Sequence, residues 1–211
     1  MRLEAVLIAV LGLAGGGAAA ISLPQALKPA MPVHAAVTAP ALMPGRVVVT
    51  PADLHQAMAS GLLDRPVKTM LDVRSPLTYG EFRWDEKGVP AGPTWVRIDL
   101  KSQIISVFRS GHEIGTAVIL YGAESKETPV GKFPIQAKLK DHHSATYDQA
   151  PMPYTLRLTG DGVSIHGSNV RWGYATHGCI GVPLAFAAKL FSVVKAGDDV
   201  VILPGKAPAK V

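Results

Sequence analysis

Cysteine is almost absent. The 211 residues hold one, Cys179, so no disulfide can form within the chain and a zinc site built on several thiolates is excluded. There is no CxxC or HxxxH spacing. Aromatic residues are few, at 6%, and charged residues reach only 18%. No basic cluster with interleaved aromatics occurs, so the footprint of a nucleic-acid binder is missing. No internal repeat is found, which argues against a solenoid. What the chain does have is apolar: 48% of residues are hydrophobic, enough for a sizeable core and too many for wholesale disorder. The net charge of +5 serves solubility, or attraction to anionic envelope polymers.

Ala5 to Leu23 carry no charge, Arg2 precedes them, and Ala18, Ala19 and Ala20 end the run. Residues 1–23 therefore read as an export signal or an N-terminal membrane anchor. Residues 24–45 are rich in proline and alanine and read as an extended tether. Residues 46–93 are expected to form a small irregular segment with one helix. Thr50 caps that helix, Pro51 suits its first turn and Asp53 its positive end, with Leu54, Ala57 and Met58 as the apolar stripe.

Regular structure is expected across 94–204, with 205–211 as a tail. Trp95 to Leu100 alternates with the period of a strand. Gln103–Arg109 and Glu113–Tyr121 are two more strands, joined by a turn at Ser110-Gly111. Further strands are expected over Lys132–Leu139, Thr155–Leu158, Gly162–His166 and Asp199–Leu203. One convincing helix runs from Pro183 to Lys195, with Leu184, Ala187, Ala188, Phe191 and Val194 on one face and Gly197 as its stop. Many short strands and one late helix give a mainly β domain.

Cys179 lies in Thr176-His177-Gly178-Cys179-Ile180-Gly181. In an exported protein a lone cysteine is either a small buried hydrophobe or a reactive thiol. The flanking glycines and the two nearby histidines favour the thiol. His166 closes a strand, a rigid position for a base, and the Gly167 carbonyl can hold its outer ring N–H and fix the tautomer. His177, Gly178 and Cys179 offer consecutive backbone N–H groups that suit an oxyanion hole. This set specifies acyl transfer through a thioester, with a thiol pKa below the ordinary value. Zinc binding by His166, His177 and Cys179, with Asp141, His142 or His143 as a fourth ligand, is the competing chemistry. Residues Asp141 to Ser144 read as a polar loop, and His112 as a solvated turn residue. Tyr154 is a core or rim aromatic by default, with substrate binding as its functional alternative.

The pairing of Ile165-His166-Gly167 with Thr176-His177-Gly178-Cys179 resembles the motif of the L,D-transpeptidases, the bacterial cell-wall enzymes with the YkuD catalytic domain. Thr128-Pro129-x-Gly131-x-Phe133-x-Ile135 resembles an earlier signature of the family, and Val96 to Leu100 and Ile105 to Phe108 resemble its opening strands. The resemblance covers about residues 94 to 203. It implies a β-sandwich or barrel-like domain with one active-site helix. It also implies a cysteine acyltransferase that needs no cofactor or metal ion and acts on peptidoglycan stem peptides. Cys179 would be the nucleophile, His166 the base and Gly167 its orienting group, with His177, Gly178 and Cys179 forming the oxyanion hole. Thr176 would brace the loop, and Tyr154, Thr176 and Arg171 would stand on the substrate side. The acceptor would be another stem, a D-amino acid, a lysine of an envelope protein, or water. Two residues after the cysteine, where many members carry Arg or Asn, this chain has Gly181. Arg171 is expected to supply the missing cation, and Gly181→Arg to stand in for it. A non-catalytic wall-binding scaffold on the same fold is the alternative of a different class. Contact with a membrane is expected only through the N-terminal segment.

Overall fold

A computed structural model describes residues 43–123 and 126–205. The export segment, nearly all of the tether and residues 206–211 lie outside the described residues.

Two sheets face one core. The larger has eight strands: β1 (Arg46–Val48), β2 (Thr69–Leu71), β3 (Phe82–Trp84), β4 (Thr94–Asp99), β5 (Ile104–Arg109), β6 (His112–Val118), β7 (Gly131–Pro134) and β12 (Asp199–Leu203). Its order is β1-β2-β6-β5-β4-β12-β7, with β3 pairing on β6. The smaller sheet has the order β11-β10-β9-β8, from β8 (Ala137–His143), β9 (Pro151–Arg157), β10 (Ser164–Ser168) and β11 (Ile180–Pro183). Among the described residues the helices are α1 (Pro51–Ala59) and α2 (Leu184–Val193). The domain is mainly β, as the alternation predicts, and the sheets form no closed barrel.

Local chemistry explains several elements. Ser110 and Gly111 have φ of 52° and 85°, the left-handed pair that joins twisted strands in a tight hairpin. Thr50 caps α1 by accepting from the Asp53 N–H. The core joins Val96, Ile105 and Val107 of the large sheet to Ile165, Ile180 and Val182 of the small one, with Phe186 and Leu190 of α2 between them.

Four expectations are corrected. Lys132–Leu139 is two strands in different sheets, because the chain changes sheet within two residues. The Ile135 N–H donates to the Asp198 carbonyl, and the Gln136 N–H to that of Arg157. Asp141, His142 and His143 end β8 rather than forming a loop. The buried face of α2 is Phe186, Ala187 and Leu190, while Leu184 is 54% exposed. His112 is buried, with Nδ1 2.9 Å from the Thr69 hydroxyl, because β2 pairs in parallel with β6 at that residue. In addition, residues 46–93 are not a separate irregular piece: β1, β2 and β3 extend the large sheet.

Candidate active site

The parallel pairing of β10 with β11 builds the site. His166 stands opposite Gly181, and Ile165 opposite Ile180. Side chains alternate across a strand, so Ile165, Ile180 and Val182 enter the core, while His166 and Ser168 point to the other face. Cys179 immediately precedes β11 and falls on the His166 face, one step along the ladder. Gly181 is buried on that face. A Cβ there would lie 3.0 Å from Ser168 Cβ and 3.4 Å from Leu120 Cβ. The Gly181 and Leu120 backbones exchange two hydrogen bonds, of 2.9 and 3.0 Å, which tie β11 to the end of β6.

His166 is half-buried, and its Nδ1 lies 3.0 Å from the Gly167 carbonyl oxygen. A carbonyl only accepts, so Nδ1 carries the proton and Nε2 is left unprotonated. Burial, aided by the neighbouring His142, pushes the His166 pKa below the ordinary imidazole value, and the Gly167 bond partly opposes this. A Cβ on Gly167 would meet Leu184 Cδ1 at 2.9 Å and Pro153 Cγ at 3.2 Å, so a side chain there would displace the exposed Leu184.

The thiol departs from expectation. Burial pushes the Cys179 pKa up. The Ser164 backbone N–H and the Lys126 charge pull it down, and the Asp161 charge adds to the rise. Sγ makes a long contact of 3.9 Å with the Gly162 carbonyl, and among the described residues no hydrogen bond joins it to His166. The resting pair is therefore a neutral thiol and a neutral imidazole rather than a preformed ion pair. Low polarity around both groups disfavours either charge.

A frame of hydrogen bonds holds the loop from Thr176 to Cys179. The Thr176 N–H donates to the Tyr121 carbonyl at 3.0 Å, and its carbonyl accepts from Ala123 at 3.1 Å. The Thr176 hydroxyl donates to the Cys179 carbonyl at 2.5 Å. The buried Thr128 hydroxyl accepts from the Gly122 N–H at 2.9 Å and donates to the Gly178 carbonyl at 3.0 Å. Gly178 has φ of 96°, the left-handed region where a side chain is strained. Among the described residues, the N–H groups of His177, Gly178 and Cys179 donate to no protein acceptor. The His177 ring stacks on Tyr147, with centroids 4.2 Å apart and planes 20° from parallel.

The expected substrate-side residues fare differently. Tyr154, with φ of 58°, sets its ring edge-on against Phe191 at 5.7 Å and belongs to the margin of the core. Arg171 is exposed, and its Nε donates to Asn169 Oδ1 at 3.0 Å. His166, His177 and Cys179 form no metal-holding group with Asp141, His142 or His143 among the described residues. Sequence reasoning missed Tyr147, Lys126 and the bracing role of Thr128. Only Thr128 carried a signal, as the first residue of its motif.

Two cavities flank the site. One, of ≈ 490 Å³, reaches Gly122, Thr128 and Tyr174 behind the loop. The other, of ≈ 540 Å³, opens over Gly167, Ser168, Pro153 and Leu184. Neither is lined by Cys179 or His166.

The model of the YkuD L,D-transpeptidase catalytic domain matches residues 93–202. An L,D-transpeptidase from Stackebrandtia nassauensis superposes with a TM-score of 0.51 at 22% identity, covering 56% of this chain and 58% of that one. One from Mycobacterium tuberculosis H37Rv gives 0.49 at 19%, covering 53% and 57%. The Enterococcus faecium enzyme gives 0.49 at 25%, covering 54% and 50%. The chain thus spans between half and three-fifths of the length of these solved relatives. A search of curated proteins gave no match. The family match covers just over half of the chain and contains both the His166 strand and the Cys179 loop: the chain belongs to the L,D-transpeptidase (YkuD) catalytic-domain family.

Proposed function

We propose that this chain is a peptidoglycan L,D-transpeptidase that works through a Cys179 thioester on tetrapeptide stems. The observation that carries the reading is the orientation of His166. Its Nδ1–H faces the Gly167 carbonyl, which leaves Nε2 basic on the face shared with Cys179. On attack, the Sγ–H proton moves to Nε2, and sulfur bonds to the carbonyl carbon of the third stem residue. The N–H groups of the 177–179 loop receive the oxyanion. His166 returns the proton to the departing D-Ala amine, leaving a thioester. An acceptor amine then attacks, loses its proton to His166, and expels the thiol. A neutral resting pair suits this sequence, because the base is uncharged near neutral pH and the thiolate forms only as the proton leaves.

The substrates in this reading are peptidoglycan stems. Another stem, a D-amino acid or an envelope-protein lysine is the acceptor, with water giving a carboxypeptidase. Such a substrate places the chain in the cell envelope, exported through residues 1–23. Mass spectrometry of purified tetrapeptide stems incubated with the protein tests the proposal. The expected result is D-Ala release with a cross-linked product, and its loss in Cys179→Ala. Tripeptide alone would make the protein a carboxypeptidase. No release from folded protein with a free thiol would favour a scaffold.

A further inference from the structure

The cation beside the thiol is Lys126, not Arg171. The Lys126 N–H donates to the Ala123 carbonyl at 2.9 Å. Its backbone packs closely on Gly122, where a Cβ would lie 2.2 Å from the Lys126 carbonyl oxygen. From there the side chain runs along the cysteine loop. Its Cγ and Cε lie 3.5 and 3.7 Å from where a Cβ on Gly178 would be. Nζ ends 5.9 Å from the centre of the Tyr147 ring, and that ring stacks on His177. The ammonium therefore stands over the loop that carries the thiol, near enough to favour the Cys179 thiolate against the opposing charge of Asp161. Arg171 makes no such contribution, its guanidinium being turned to Asn169.

We propose that Lys126, backed by the Tyr147–His177 stack, forms a carboxylate-binding site beside Cys179 that holds one carboxylate of the donor peptide and so aligns the carbonyl to be attacked. That the ligand is a peptide stem rests on the function proposed above. That it is anionic rests on Lys126 and its place on the loop. A lysine suits the task as a point charge on a long stem, which can meet a carboxylate without the fixed geometry of an arginine fork. The aromatic stack fixes the floor on which the ammonium and its partner sit.

Because Cys179 is the only cysteine, its alkylation reports on this site alone. The experiment compares iodoacetate, an anion, with iodoacetamide, its neutral analogue, on the full chain. The proteins are the parent, Lys126→Met and Lys126→Arg. The iodoacetate-to-iodoacetamide rate ratio should fall ~3–10-fold in Lys126→Met, recover in Lys126→Arg, and shrink with added salt in the parent. An unchanged ratio in Lys126→Met overturns the site, whatever the stems do. A second arm uses tetrapeptide stems amidated at one carboxylate at a time. Lys126→Met should raise KM ~10-fold for the free stem and leave one amidated stem unaffected, as expected when a charge-assisted hydrogen bond is lost. Equal losses on every stem would mark Lys126 as structural and overturn the proposal. A shifted alkylation ratio with no turnover of any stem by the parent would leave the anion site standing and remove the transpeptidase reading instead.

Discussion

At the scale of single residues, the site is defined by two pKa shifts in opposite directions. Burial lowers that of His166 and raises that of Cys179. A base with a lowered pKa stays neutral further into acid, so the acid limb of kcat/KM should lie below the ordinary imidazole value of about 6.5. A limb at or above that value would contradict the assignment of His166. Iodoacetamide labelling of the free protein should accelerate only above the ordinary thiol range of about 8.5. This reverses what the motif alone suggests. His166→Ala should cost at least ~100-fold in acylation, the usual contribution of a positioned base, with the melting temperature as a control for folding. The motif was legible because its residues are close together in the sequence, and the family match spans both of its halves. The shifts were not legible, since they depend on what covers the two groups.

Elements place these residues, and the most informative one is β11, which no apolar pattern announces. Its four residues follow directly on the cysteine, and its Gly181 bridges to Leu120, just past β6. Gly181→Arg should therefore destabilise the fold rather than restore a missing charge. Ser168 Cβ at 3.0 Å from the new Cβ is tighter than ordinary contact, and overpacking of this kind costs ~1–3 kcal/mol. Thermal melts of Gly181→Arg against the parent would check it, and an unshifted transition would be inconsistent with the packing.

Thr128 makes the complementary case. Thr128→Val keeps the shape but removes the hydroxyl that joins the Gly122 N–H to the Gly178 carbonyl. Stability should fall by ~1–3 kcal/mol, the range for leaving buried polar groups unpaired, and acylation should fall with it. Thr128→Ser should recover both. Urea titration with D-Ala release measures the pair. The first turn of the Thr128 motif was visible in the sequence, but its purpose was not. The motif and the cysteine loop are 50 residues apart, and local patterns carry no information about what meets across that distance.

For the whole molecule, the lesson is where the domain begins. The family match starts at residue 93, yet the strands of residues 46–93 complete the sheet on which the family domain rests. The β3 residues Arg83 and Trp84 pair with Thr116 and Gly115 of β6. Trp84 and Phe82 also set their rings edge-on to Phe186 of α2, at 5.4 and 5.9 Å. Every residue of β6 is buried. A chain that begins at residue 94 would expose that strand and uncover α2, and bare sheet edges aggregate. It should fail to give a cooperative urea transition, whereas a chain beginning at residue 43 should retain one. Equal cooperativity would show that the first three strands are an accessory.

The sequence by itself determined the family, the mainly β class, the hairpin at Ser110-Gly111, the cap of α1, the terminal strand, and the types of the chemical groups. Each of these is written in neighbouring residues, through alternation, turn chemistry or a contiguous motif. Only the tertiary structure decided the rest. It split Lys132–Leu139 between two sheets, turned the first segment into three strands, buried His112, and by burial lowered the His166 pKa and raised that of Cys179. It also brought Lys126 and Tyr147 to the cysteine loop. These depend on which distant backbones pair and which charges burial brings together. Pairing partners and burial are properties of the assembled fold, and no local pattern encodes them.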